Sequence, residues 1–289
     1  MRGRMRVALV LCRRQVFESL VSPGFYVLLS LCLAISSALT AGFAASVDSS
    51  GFDPGLSPLY RLVSGAVSGT FGASFFSRLF AEGPLPFGLA VSFLPMLAFL
   101  SVTSVFRFGH ERGAGAVELI VYGPADPTAY LLAAFLKDAT LCILSLAALS
   151  AAVLAAGAFV HVLPGRLFVL TLAVVALASL AVFAYGALCS TLLSTVTSAL
   201  ALFIGIQLVF ALLFVGGFAL VSEPVRSVSV VAAAALQWVS PLFYCSLCFR
   251  AAEAAQGAEL AGACLLLAVL SASLLAVGHL VIRETGVRA

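Results

Sequence analysis

Arg107-Phe-Gly-His110-Glu111-Arg112-Gly-Ala-Gly115-Ala-Val-Glu118-Leu119-Ile forms a compact charged island between two long apolar runs, in a chain of 289 residues of which only 9% carry charge. Arg107 and Glu111 are four apart, the spacing of neighbours on successive helical turns, and Glu111 and Glu118 share a face seven apart. Arginines and glutamates so placed pair with one another or with a partner's charges, so the chemistry on offer is docking. The bland alternative is a solvated loop whose charges keep it out of the membrane. His110-Glu111 lacks the second histidine of a zinc-hydrolase helix, which leaves metal-assisted hydrolysis without its ligands. Two smaller constellations stand elsewhere. Lys137-Asp138 is an adjacent charge pair beside an apolar run. It either reaches the head groups from the helix end, at little cost, or lies buried and marks an ion pathway. Cys245-Ser-Leu-Cys248 has the spacing of a redox or metal pair, but without a second pair or a nearby histidine it reads as two small hydrophobes.

The elements that must position these residues are membrane helices. Apolar residues make up 63% of the chain and mean hydropathy is +1.18, far above soluble domains. A crossing takes about 20 apolar residues. Six charge-free runs qualify: 25–45, 87–106, 139–160, 167–188, 199–221 and 260–282. Backbone amides inside a bilayer must bond within their own segment, so the fold class is all-α: a polytopic bundle of six transmembrane helices forming a single domain over 1–289. Residues 167–222 are charge-free throughout, enough for two crossings, and Ser190, Thr191, Ser194, Thr195, Thr197 and Ser198 mark the turn between them. Residues 227–249 are also uncharged, but Pro241 and Gln237-Trp238 interrupt them, which points to a re-entrant or interfacial hairpin before the last span.

Arginine placement orients the bundle. With the N-terminus inside, the cytoplasmic segments hold ten of the fifteen basic residues: Arg2, Arg4, Arg6, Arg13, Arg14, Arg107, Arg112, Lys137, Arg283 and Arg288. Both termini are expected to be cytoplasmic, and 107–138 becomes a cytoplasmic loop. Residues 1–24 are expected to form a helix on the inner leaflet, with Met5, Leu9, Cys12, Val16 and Leu20 on its apolar side and Arg6, Arg13, Arg14 and Glu18 opposite, facing lipid head groups. The stretch 62–77 is expected to lie as a helix in the outer interface. No basic patch suits nucleic acid. A phosphate-binding loop needs Gly-x-x-x-x-Gly-Lys, and the single lysine, Lys137, follows Leu136 in an apolar stretch. ATP hydrolysis by that route would have to reside in another chain.

Residues 106–137 resemble the signature region of type-2 ABC exporter permeases, in particular the gliding-motility and nitrous-oxide-accessory branch. There a glutamate, a Gly-Thr-x-Glu-x-Leu element, a proline and a lysine follow the second span. Here they are Glu111, Gly115-Ala116-Val117-Glu118-Leu119, Pro124 and Lys137, with Ala116 in place of the threonine. Gly186, Ser190 and Leu192 look like the family's Gly-x-x-x-Ser-x-Leu turn after the fourth span. The resemblance implies a non-catalytic permease subunit in a plasma membrane, of the bacterial inner-membrane kind. Such a subunit pairs with a second permease copy or paralogue and with a cytosolic ABC ATPase dimer, which binds the ATP and magnesium while this chain holds no cofactor. It implies that Arg107, Glu111, Arg112, Gly115, Glu118 and Leu119 receive the ATPase, with Lys137 and Asp138 where span three begins.

Two rivals come from other classes. A secondary transporter needs charged or broken helices near the midplane, and none of the six runs has a central charge. An intramembrane serine protease needs a Gly-x-Ser-Gly nucleophile beside a histidine. Gly72-Ala-Ser74-Phe75 lacks the second glycine, and His279 is expected near the opposite membrane face.

Overall fold

The computed structural model of the protein describes residues 2–48, 51–52, 57–58, 61–62, 85–113, 127–159, 161, 164–193, 195–219, 238–253 and 257–285. Eight helices account for nearly all of them: α1 Arg2–Val21, α2 Pro23–Ala45, α3 Leu85–Gly113, α4 Pro127–Phe159, α5 Arg166–Leu192, α6 Val196–Ala219, α7 Pro241–Glu253 and α8 Gly257–Thr285. One short antiparallel pair, β1 Val47–Asp48 and β2 Gly51–Phe52, follows α2, with Val47 opposite Phe52 and Asp48 opposite Gly51. Five segments are long and apolar enough to cross a membrane: Pro23–Ala45, Leu85–Glu111, Ala129–Phe159, Arg166–Leu192 and Gly257–Arg283. The chain is a multi-pass helical membrane protein. Each of the six expected runs falls on a helix, although the apolar part of α6 with described side chains, Val196–Leu212, is shorter than a crossing.

Local sequence sets the breaks. Pro23 opens α2 because its missing N–H is one that a first helical turn leaves unbonded anyway, and its fixed φ suits a helix start. Between α5 and α6, Leu193 turns extended and its N–H closes on the Cys189 carbonyl at 3.3 Å. The Thr195 hydroxyl then accepts from the Ser198 N–H at 3.3 Å, capping α6. The hydroxyl cluster expected to turn the chain does so.

The core follows helical spacing. Leu85, Leu89, Phe93, Met96 and Leu100 of α3 meet Leu141, Leu146, Leu149 and Val153 of α4, Phe25 and Cys32 of α2, and Phe168 and Phe183 of α5. A second cluster joins Val105 of α3 to Tyr185 and Cys189 of α5, Phe203 and Phe210 of α6, and Leu274 of α8. α5 runs through the middle, packed on α3, α4, α6, α7 and α8. In lipid, helices associate through close packing more than water exclusion, so buried small polar residues must satisfy themselves. Ser36, Ser92, Ser101, Ser145, Ser179, Ser190 and Ser271 lie in the interior; Ser145, Ser190 and Ser271, for example, each donate to the carbonyl four residues back.

Three expectations are refined. α1 keeps part of its expected apolar side against the bundle, with Cys12 buried and Val16 and Leu20 packed on the core, but Leu9 of that side is half-exposed. Ala8 and Gln15 are buried beside Cys12, while Val10 and Phe17 point outward. The segment after the second span does not begin as a loop at Arg107, because α3 continues without a break to Gly113. Of the hairpin expected over 227–249, α7 is described and 227–237 lies outside the described residues, as does all but Leu62 of the interfacial helix expected at 62–77.

Candidate functional site

Helix length carries the charged island past the apolar layer. The 29 residues of α3 make a rod of about 43 Å, against roughly 30 Å of hydrocarbon. Its charge-free part ends at Phe106, so Arg107 and Glu111 stand on the last two turns, at the end of the bundle where α1 lies. At 33 residues α4 is longer still. Its uncharged portion beyond Asp138 is about 31 Å, one hydrocarbon thickness, and Lys137 and Asp138 stand at the end of that portion nearest Arg107.

Arg107 is the hub. Its Nε donates to Glu111 Oε1 at 2.9 Å, the expected one-turn pair, and its Nη2 donates to Glu18 Oε2 of α1. Glu18 also accepts from Arg14 Nε at 2.9 Å. Arg14, Glu18, Arg107 and Glu111 thus alternate in sign from the exposed side of α1 to the end of α3. The Arg107 guanidinium holds the Glu18 carboxyl below the usual glutamate range; partial burial opposes this and Arg14 assists it. With side chains 30% and 38% exposed, the Arg107–Glu18 pair is partly screened, and its role is to fix one helix against another rather than to supply much stability.

α1 is brought there by small residues. Ala8 and Cys12 on α1 and Ala129 and Ala133 on α4 form one buried cluster, two four-residue spacings of small side chains that let the helices approach closely. That contact roofs the Lys137–Asp138 pair. Lys137 Nζ lies 2.9 Å from Asp138 Oδ1 with side chains only 5% and 2% exposed, so the lysine does not reach out to the head groups as expected. Neighbours on a helix project about 100° apart, so the two side chains must bend toward one another for the ammonium to reach Oδ1. Ser104 and Arg107 of α3 act on the same carboxylate.

The α3 end is also fixed from a third side. A Cβ on Gly109 would fall 3.1 Å from Val196 Cγ2 and 3.3 Å from Val196 Cα, so the start of α6 lies against the α3 backbone where only glycine leaves room. His110 stacks on Phe106 one turn back, with ring centroids 6.0 Å apart.

Of the residues singled out by sequence, the structure brings Arg107 and Glu111 together with Lys137 and Asp138. The Arg112 side chain, and Gly115, Glu118 and Leu119 entirely, lie outside the described residues. Glu18 and Ser104 were missed as members of the site. The signal for Glu18 was its solitude: it is the only acidic residue before Asp48, in a segment with five arginines. Among the described residues no three His, Cys, Asp or Glu side chains converge as a metal site. The arrangement is a tie between helices: the end of α3 and the N-terminal helix are joined through the Glu18 carboxylate. No protein-family model matches the chain, and no curated protein is significantly similar to it.

Proposed function

We propose that the chain is the transmembrane permease subunit of an ATP-binding cassette exporter of the type-2 class. In this reading it has six spans and cytoplasmic termini and works with a second permease copy or paralogue and a separate cytosolic ATPase dimer. The supporting observation is that the second span runs unbroken into Arg107 and Glu111 and is tied there, through Glu18, to the N-terminal helix. A force applied to the segment after Gly113 is thereby delivered to α3, α1 and α4 together instead of being lost in a flexible loop. ATP-driven closure of the partner presses this segment, rocks α3 and α4, and opens a path between two permease subunits. The outward face of α1, with Val10, Phe17 and Val21 exposed beside Arg13 and Arg14, suits the inner-leaflet lipid surface. Purification from native membranes tests the assembly: a stoichiometric partner bearing a Gly-x-x-x-x-Gly-Lys loop supports the reading, and a chain that purifies alone and transports without ATP overturns it.

One observation favours a second reading. A buried Lys137–Asp138 pair is the kind of group that an ion-coupled secondary transporter uses. The pair stands at one end of the charge-free run of α4 rather than in its middle, which favours the permease reading. Transport driven by a pH gradient in the absence of nucleotide, abolished by Asp138→Asn, would select this second reading.

A further inference from the structure

Cys248 of α7 faces Cys264 of α8 with the sulfurs 3.8 Å apart. The spacing of Cys245 and Cys248 suggested a pair within one helix, but the structure pairs Cys248 across two. Cys248 is fully buried, Cys264 is partly exposed, and Cys245 lies one turn back on α7, near enough to interact with both. The seam around them is apolar, built from Val174 of α5, Leu247 of α7 and Leu260 and Ala263 of α8. A cysteine acting as a small hydrophobe has no need to meet another sulfur. A disulfide would close this 3.8 Å gap to roughly 2.05 Å.

We propose that Cys248 and Cys264 form a reversible disulfide that staples α7 to α8. The oxidant is a disulfide-bearing molecule, either small or a dithiol–disulfide oxidoreductase. Cys264, the more accessible sulfur, attacks as thiolate. The oxidant's S–S bond breaks, one of its sulfurs leaves and takes up a proton, and a mixed disulfide remains on Cys264. The Cys248 thiolate then attacks Cys264 Sγ and expels the oxidant's second thiol. Two electrons and two protons pass from the cysteine pair to the oxidant, and a dithiol reductant reverses both steps. Cys264 lies seven residues into α8, about 10 Å from its first residue, within reach of an oxidant approaching from that end. That this end faces an oxidising compartment rests on the orientation proposed above; the pairing itself does not.

The test uses the purified full-length chain in detergent micelles, treated with dipyridyl disulfide, an apolar probe, and mapped by peptide mass spectrometry. The expected product is a linked peptide pair containing Cys248 and Cys264, lighter by two hydrogens, with no pyridyl adduct on either. The link should survive Cys245→Ser, disappear in Cys264→Ala and reverse with dithiothreitol. Its formation should raise the thermal unfolding midpoint of wild type and leave that of Cys264→Ala unchanged. Separate adducts on Cys248 and Cys264, or a link from Cys264 to Cys245 instead, would overturn the pairing. A mapped link with an unmoved midpoint would overturn the staple. Neither readout needs an ATPase or a transported substrate, so the outcome is independent of the permease reading.

Discussion

Glu18 and Arg107 are 89 positions apart in the chain and share a hydrogen bond, so one side-chain contact ties the N-terminal helix to the end of α3. Exchanging their signs tests whether the contact itself matters. Glu18→Arg and Arg107→Glu should each loosen α1, read as faster proteolysis near Ser22, while the double exchange restores protection. The coupling energy should be about 0.5–1 kcal/mol, typical of a partly exposed pair. A double variant as labile as the singles would show that α1 is held by its small-residue face alone.

The pH dependence has a definite sign. Because Arg107 lowers the Glu18 pKa, the contribution of the pair is fully present above the ordinary glutamate range, near pH 4.3, and is lost as pH falls through the lower folded value. Protection of the α1–α2 junction should be flat from about pH 8 to 5 and weaken below about pH 4. In Glu18→Gln that acid step should be absent.

Gly109 leaves no room for a side chain against Val196. Gly109→Leu should destabilise the protein by about 1–3 kcal/mol through overpacking, seen as a lower unfolding midpoint in detergent. Val196→Ala should recover part of the loss. Equal stability of Gly109→Leu and wild type would mean that α3 and α6 are not in contact there.

Lys137 and Asp138 test burial. Removing one charge leaves the other buried and unpaired, so Lys137→Met or Asp138→Leu alone should cost about 3–5 kcal/mol, while the double replacement should lie much closer to wild type. Reduced yield of folded protein from membranes is the readout. Harmless single variants would place the pair in water or among head groups.

Five of the expected spans were legible because each is charge-free for a full crossing, and the α5–α6 turn because hydroxyl residues cap helices. The register of α1 was legible only in part: Cys12 and Val16 of the expected side do pack inward, whereas close packing against Ala129 and Ala133 selects the small Ala8 over the larger Leu9. Burial of Lys137 and Asp138 depends on that roof and could not be seen from the charge pair alone. Arg107 and Glu111 were visible as a one-turn pair, but the third member, Glu18, becomes a neighbour only through tertiary packing. The CxxC spacing could not show that Cys248 lies against Cys264 of α8, for the same reason.

The central claim is that the end of α3 transmits work from a separate ATPase. The most direct measurement is ATP hydrolysis and transport by the copurified complex in lipid vesicles, comparing wild type with Glu111→Ala, Arg107→Gln and the pair combined. The account predicts that the double variant still inserts and still binds its partner, while transport and transport-linked hydrolysis fall at least about tenfold, a barrier change of roughly 1.4 kcal/mol. Wild-type coupling in that double variant would contradict it.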